Sequence, residues 1–288
     1  MAEITAQAVG QLREMTGLGL MQCKKALTET AGDLEKAVEF LRKQGAAVAA
    51  KRVGRDAKEG RIVLGQNAKT VAALELNCET DFVANADDFQ VFAKKGLDLV
   101  LSGRPADVEA LKAMAIDGST LGEVQTAAIA KIGENIVLKR LAWENLGDNE
   151  IAETYNHMNG KIGVIVKLGY EGSASNLDGL RQLARDLTMQ VAATAPVAIE
   201  PKDVNPALVE KEREIARELT AKDGKTGDML ERIVEGRIQK FFKENCLIGQ
   251  VYVKDNKVTI DKLLAQTAKT LGLTGIRILA FHRLQLGQ

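Results

Sequence analysis

Residues 61–101 read RIVLG QNAK TVAALEL NCETDFVANADD FQVFAKKGLDLVL, and this stretch decides the fold class. Two apolar runs, 61–65 and 70–76, flank the polar Gln66-Asn67-Ala68-Lys69, the pattern of a β-hairpin. After a polar loop, Phe89, Phe92, Ala93, Gly96, Leu97, Val100 and Leu101 recur at helical spacing, so an amphipathic helix follows. A hairpin that covers one face with a helix is an α+β unit. A further helix over about 121–135 carries Leu121, Val124, Ala128 and Ile132 on one side. The β-branched run Ile136-Val137-Leu138, continuing to Trp143, predicts a strand that closes the unit.

The plan then recurs. Residues 155–158 and 161–168 flank Asn159-Gly160, a favoured two-residue hairpin turn. Leu180, Leu183, Ala184, Leu187 and Val191 form the next helical stripe. Phe89 and Leu180 stand 91 residues apart, as do Phe92 and Leu183, which points to an internal duplication of low identity. Residues 206–245 interrupt the second copy. Their charged helical pattern breaks at Asp223-Gly224-Lys225 and resumes with Met229, Ile233, Gly236, Ile238 and Phe242, so a projecting helical hairpin is predicted. Strands are expected again at 247–253 and 276–284, with a short helix ending at Leu271 between them.

Toward the amino terminus, the first 45 residues or so read as short helices broken by Gly17, Gly19 and Gly32. Residues 46–58 are rich in Ala, Lys and Arg and read as a linker or an exposed helix. The expected organisation is a small helical domain over 1–54, a first core subdomain over 55–147 and a second over 148–288. The second would contain the helical insertion at about 200–245 and a terminal module at about 270–288.

Composition excludes several functional classes. The chain has 288 residues, with 39 Lys and Arg against 39 Asp and Glu, so it lacks the uncompensated positive charge that phosphate-backbone binding needs. Direct binding of nucleic acid is not expected. Cys23, Cys78 and Cys246 are few, odd in number and far apart, which suits buried thiols in a reducing cytoplasm better than disulfides or a metal site. The start MAEITAQAVGQL has no apolar signal region, and no run is long enough to span a membrane. His157 and His282 are the two histidines, and neither a Ser-His-Asp order nor a zinc motif can be drawn. Gly224-Lys225-Thr226 imitates the end of a phosphate loop, but Leu219 stands where that loop requires glycine. A protein-binding role is therefore favoured over an enzyme, a cofactor site or a metal site.

The two copies differ most in the loop between hairpin and helix. The first carries Asn77-Cys78-Glu79-Thr80-Asp81-Phe82-Val83-Ala84-Asn85, the second the bland Tyr170-Glu171-Gly172-Ser173-Ala174-Ser175-Asn176. When one copy of a framework carries Asp-Phe-Val, its loop is the candidate contact site. Residue statistics alone favour a core position for Phe82, and capping or turn chemistry accounts equally for Thr80 and Asp81.

The segment Leu12-Arg13-Glu14-Met15-Thr16-Gly17-Leu18-Gly19-Leu20-Met21-Gln22-Cys23-Lys24-Lys25-Ala26-Leu27 is similar to the amino-terminal signature of the elongation factor Ts family. Glu75-Leu76-Asn77-Cys78-Glu79-Thr80-Asp81-Phe82-Val83-Ala84 resembles its second signature. Lys131-Ile132-Gly133-Glu134-Asn135 and Val234-Glu235-Gly236-Arg237 also resemble family segments, in order along the chain. Gln22 departs from the Asp or Glu usual before Cys-Lys-Lys. The resemblance implies a guanine nucleotide exchange factor for elongation factor Tu in translation elongation. It implies that the first helices resemble a ubiquitin-associated domain, with Leu20, Met21 and Lys24 on the partner's GTPase domain. It places Thr80, Asp81, Phe82 and Val83 beside the partner's nucleotide and magnesium, with Phe82 a wedge and Asp81 a polar anchor. Ile132 and His157 would extend the contact, although a core role for Ile132 and an ordinary hydrogen-bonded role for His157 stay open. Nucleotide and magnesium would belong to the partner alone.

Overall fold

Capping chemistry sets the ends of the first helices. The computed structural model describes residues 4–172 and 177–288. Helix α1 (Ala6–Thr16) starts at Thr5, whose hydroxyl accepts the Ala8 N–H, and ends at Gly17 in the left-handed region. Helix α2 (Leu20–Glu29) is capped by Gln22, whose side-chain oxygen accepts the Gly19 N–H at 3.1 Å. The residue that departs from the family pattern thus has a local structural role. Helix α3 (Leu34–Arg52) begins at Asp33, which accepts the Lys36 N–H. Val9, Leu12, Cys23, Ala26, Leu27, Ala37 and Leu41 form the small core these helices share.

The Ala-rich run after residue 45 continues α3 to Arg52 and is docked rather than free. A Cβ placed on Gly45 would lie 3.3 Å from the Ala130 methyl, and Ala49 is buried in the next core. Small residues allow that helix-to-helix approach, while Ala keeps the helix intact.

The first core unit follows. Strands β1 (Glu59–Gln66) and β2 (Thr70–Cys78) form the predicted hairpin. A one-turn helix α4 (Asp81–Ala84) leads into α5 (Asp87–Gly103), then α6 (Val108–Ala113) and the small hairpin of β3 (Ala115–Ile116) and β4 (Ser119–Thr120). Helix α7 (Leu121–Ile132) and strand β5 (Val137–Asn145) complete it, with antiparallel order β1-β2-β5. Strand β2 is buried along its whole length. Ala72, Leu74, Leu76 and Cys78 face the helices with Phe89, Phe92 and Leu97, while Val71 and Ala73 face the other way.

The second unit comprises β6 (Glu150–His157), β7 (Ile162–Glu171), α8 (Leu177–Thr194), α9 (Pro206–Lys222) and α10 (Gly227–Asn245). Strands β8 (Val251–Tyr252) and β9 (Asp255–Thr259), helix α11 (Ile260–Leu271) and strand β10 (Gly275–Gln285) follow. Its sheet order is β10-β7-β6. Correspondence between the units extends beyond the stripes read from sequence. In both, a small hairpin ends in a threonine, Thr120 or Thr259, that precedes a twelve-residue helix. Each helix stops at a left-handed glycine, Gly133 or Gly272, before the third strand. The α9–α10 hairpin occupies the place that α6 holds in the first unit. The sheets meet through Ile62, Val71, Ala73, Ala152, Ile165 and Leu284, with Gly163 giving Ile62 the room it needs. The result is the α+β class, with antiparallel sheets and an amino-terminal helical region.

Several local expectations are corrected. The β6–β7 connection is a longer turn, not a two-residue one, with Met158, Asn159 and Gly160 all at positive φ. Residues 247–249 form a 3-10 turn where a strand was expected, leaving only the two-residue β8. On α10 Ile238 is buried as expected, but Val234 is buried too while Met229 and Gly236 are exposed, because α10 turns that side toward Ala216 and Thr220 of α9. Residues 173–176, four of the seven in the second unit's loop, lie outside the described residues. All three cysteines are free and buried. Among the described residues no helix is long and apolar enough to cross a membrane.

Candidate functional site

After Cys78 the chain leaves the sheet and forms α4, a helix too short to sustain itself. Neighbouring segments hold it. The Thr80 hydroxyl caps α4 by accepting the Val83 N–H at 3.3 Å, and it donates to Glu134 Oε1 at 2.7 Å. Glu134 Oε2 accepts the N–H groups of Glu79 and Thr80 at 3.1 and 3.0 Å. The exchange is reciprocal, since the Asn135 N–H donates to Glu79 Oε1 at 2.7 Å. That bond, with help from Arg55 and Arg52 and against the cost of desolvation, holds the Glu79 carboxyl below its ordinary range. The Cys78 thiol donates to the Thr80 carbonyl, and burial, with the Glu134 carboxylate adding, pushes it up to about 12. It is a structural donor, not a reactive thiolate.

Arg61 holds the far end of α4. Its Nε donates to the Ala84 carbonyl at 2.9 Å, and its other nitrogens reach Asn85 Oδ1 and Asn159 Oδ1. Asn85 in turn donates to the Asp81 carbonyl. With both ends fixed, α4 has one inward side, taken by the buried Ala84 and the half-buried Val83. Asp81 is exposed, and Phe82 is 84% exposed. The core position that residue statistics favour for Phe82 is therefore incorrect.

The other sequence-predicted residues stand on α2, at the end of α7 and at the end of β6. Leu20 and Met21, 50% and 77% exposed, open α2, with Lys24 exposed one turn later. Ile132 ends α7 half-buried against the first core, so it retains a packing role. His157 is exposed at the end of β6 and shares a 3.0 Å hydrogen bond with the Tyr155 hydroxyl. Side-chain contacts join these places. A Cβ on Gly17, between α1 and α2, would lie 3.6 Å from Lys131 Nζ, and Lys131 pairs with Asp88 at 2.7 Å. Glu134 then ties the end of α7 to Thr80, and Arg61 ties α4 to the turn that follows His157. Among the described residues no three His, Cys, Asp or Glu side chains gather as a metal site.

A family model described as Elongation factor TS matches residues 79–288, beginning within the turn that presents Phe82. The chain belongs to the elongation factor Ts family. An elongation factor Ts of Desulfovibrio desulfuricans is 44% identical over 291 aligned residues, covering 99% of both chains. One from Clostridium novyi is 44% identical over 99% of this chain and 93% of its own. One from Amoebophilus asiaticus is 43% identical over 99% of each.

In this member of the elongation factor Ts family, sequence reasoning missed Glu134, Glu79 and Arg61 as the groups that shape the site. Glu134 lies in a segment already read as family-like, but nothing local links it to Thr80, 54 residues away. One signal was available. Gly133 adopts φ 84° as the cap of α7, and such a glycine reverses the chain so that the next side chain can point back across the helix end.

Proposed function

We propose that this chain is a guanine nucleotide exchange factor for elongation factor Tu in translation elongation. It binds the GDP form of that partner, dislodges its magnesium and promotes GDP release so that GTP can bind. One observation supports the reading above the others: a phenylalanine 84% exposed on a turn braced from two sides. Large aromatic side chains fixed in water have no folding role, and such anchors dominate protein interfaces. Phe82 acts as the wedge and Asp81 as the polar anchor beside the partner's nucleotide, with Thr80 and Val83 completing the turn. Leu20, Met21 and Lys24 meet the partner's GTPase domain, and Ile132 and His157 extend the contact. The helical region to residue 54 acts as the ubiquitin-associated-like domain, and residues 55–147 and 148–288 as two core subdomains. The chain itself holds neither nucleotide nor metal, binds no nucleic acid, and works in the cytoplasm.

The mechanism needs no bond chemistry. Exchange requires negative coupling between two ligands of one GTPase, so whatever factor this chain takes from GDP affinity, GDP takes from its affinity. Moving magnesium removes the charge that neutralises the phosphates, and nucleotide affinity falls. Phe82 supplies the differential contact that favours the nucleotide-free state. The test is release of fluorescent GDP from purified elongation factor Tu. Acceleration at substoichiometric amounts is expected. Binding without acceleration would replace the exchange reading with that of an adaptor.

A further inference from the structure

Glu134 is half-buried, yet both of its carboxylate oxygens are committed within the chain. Oε2 receives the consecutive N–H groups of Glu79 and Thr80, and Oε1 receives the Thr80 hydroxyl. These bonds act just before the four-residue α4, at the point where the chain leaves β2. They set the direction in which the turn leaves the sheet, and therefore where Phe82 stands. We infer that Glu134 is the positioning residue of the exchange site: it preorganises the turn that carries Phe82 and does not itself meet the partner. The inference rests on the exchange reading above.

The physical argument concerns where interaction energy is spent. A four-residue helix joined to a free loop samples many conformations, and if Phe82 engages fully only as GDP leaves, the cost of ordering the turn falls on that step and lowers the maximal rate more than the initial docking. Bracing by Glu134 removes that cost before the partner arrives. Neighbouring bonds tie nearby points but leave the Glu79 and Thr80 N–H groups to Glu134. Glu79 accepts the Asn135 N–H and pairs with Arg55, the Cys78 thiol donates to the Thr80 carbonyl, and Arg61 grips only the far end of α4. Gly133, left-handed at the end of α7, aims Glu134 at the turn. The proposed contacts at Leu20 and Met21 lie on another helix and do not depend on it.

Two substitutions separate reach from charge. Glu134→Gln keeps the length: its carbonyl oxygen can accept both N–H groups, while its amide donates to the Thr80 hydroxyl. Glu134→Asp keeps the charge but shortens the side chain by about 1.5 Å, out of hydrogen-bond range. Stopped-flow release of fluorescent GDP from elongation factor Tu, over a range of exchange-factor concentrations, reads the maximal rate and the half-saturating concentration separately. The expected result is a maximal rate within about threefold of the parent for Glu134→Gln, and lower by roughly tenfold for Glu134→Asp, with half-saturation little changed in both.

Amide hydrogen exchange of the partner-free protein supplies an independent readout. Glu79 and Thr80 should exchange faster in Glu134→Asp than in Glu134→Gln, while amides in α9 and α10 match the parent. Parent-like release in both variants would overturn the inference, and so would a loss in Glu134→Gln as deep as in Glu134→Asp. Should the parent chain fail to release GDP at all, the exchange reading falls, and amide exchange still decides whether Glu134 holds the turn.

Discussion

The α4 turn and the α9–α10 hairpin both project from the body of the molecule and both expose apolar side chains, but they are supported differently. Beneath Phe82 lie Val83 and Ala84 on the first core, the Glu134 brace on one side and Arg61 on the other. The hairpin has a thin seam of Ala216, Thr220, Val234 and Ile238, laced by Arg213–Glu235 and Arg217–Glu231 pairs at its surface. Exposed ion pairs of that kind contribute about 0–1 kcal/mol each and are screened by salt. Exposed Ile215 and Leu219 therefore sit on a thinly packed element, and Phe82 on one held from several sides. A side chain that must enter a pocket at a set depth needs the second kind of support.

The largest effect is expected at the base of the turn. Phe89, fully buried in the core on which α4 rests, should cost about 3–5 kcal/mol when replaced by Ala, measured by urea unfolding. A loss under about 1 kcal/mol would mean that the turn does not depend on this core. Phe82→Ala should do the reverse. Stability should change by no more than about 0.5 kcal/mol, because the ring is already in water. GDP release should slow by on the order of tenfold or more, equivalent to about 1.4–2 kcal/mol of lost anchoring. Unchanged release would remove Phe82 from the mechanism.

What the sequence made legible follows from the range of the signals. Periods of 2 and 3.6 are local, so the hairpins, the α5 and α8 stripes and the α+β class could be read directly. The continuation of α3 could not, because Gly45 and Ala49 lack large side chains and their docking surface on α7 is distant in sequence. On α10 the expected Ile238 is buried, but Val234 is buried in place of Ile233, about 100° around the helix. Strands β3 and β4 are two residues each, too short for any period to show. Exposure of Phe82 was hidden by the average habit of phenylalanine. Its cause is local: Thr80 caps one helix, Asp87 already opens the next, and the single turn between them has one inward side. The brace from Glu134 is a tertiary contact with no local trace.

Arg61 tests the far support. Replacing it with Ala removes the bonds to the Ala84 carbonyl, Asn85 and Asn159, and should cost about 1 kcal/mol, since the group is partly solvated. Faster amide exchange in α4 and a release rate lower by about threefold are expected, less than for Glu134→Asp, because the Thr80 cap survives. An effect on release as large as that of Phe82→Ala would mean that Arg61 meets the partner directly.

The smallest effect is expected on the hairpin, and it bears most directly on the difference between the two projections. Ile215 and Leu219 lie one turn apart on the outer side of α9, while Ala216 and Thr220 face α10. Changing both outer residues to Ser leaves the seam and its ion pairs intact, so unfolding free energy should move by less than about 0.5 kcal/mol. GDP release should stay within about twofold of the parent, because side chains on a thinly supported element are held less firmly against a partner than Phe82 is. A tenfold loss with unchanged stability would place the hairpin beside the turn as a primary contact. Adaptability, and not rigid bracing alone, would then belong to the recognition of the partner.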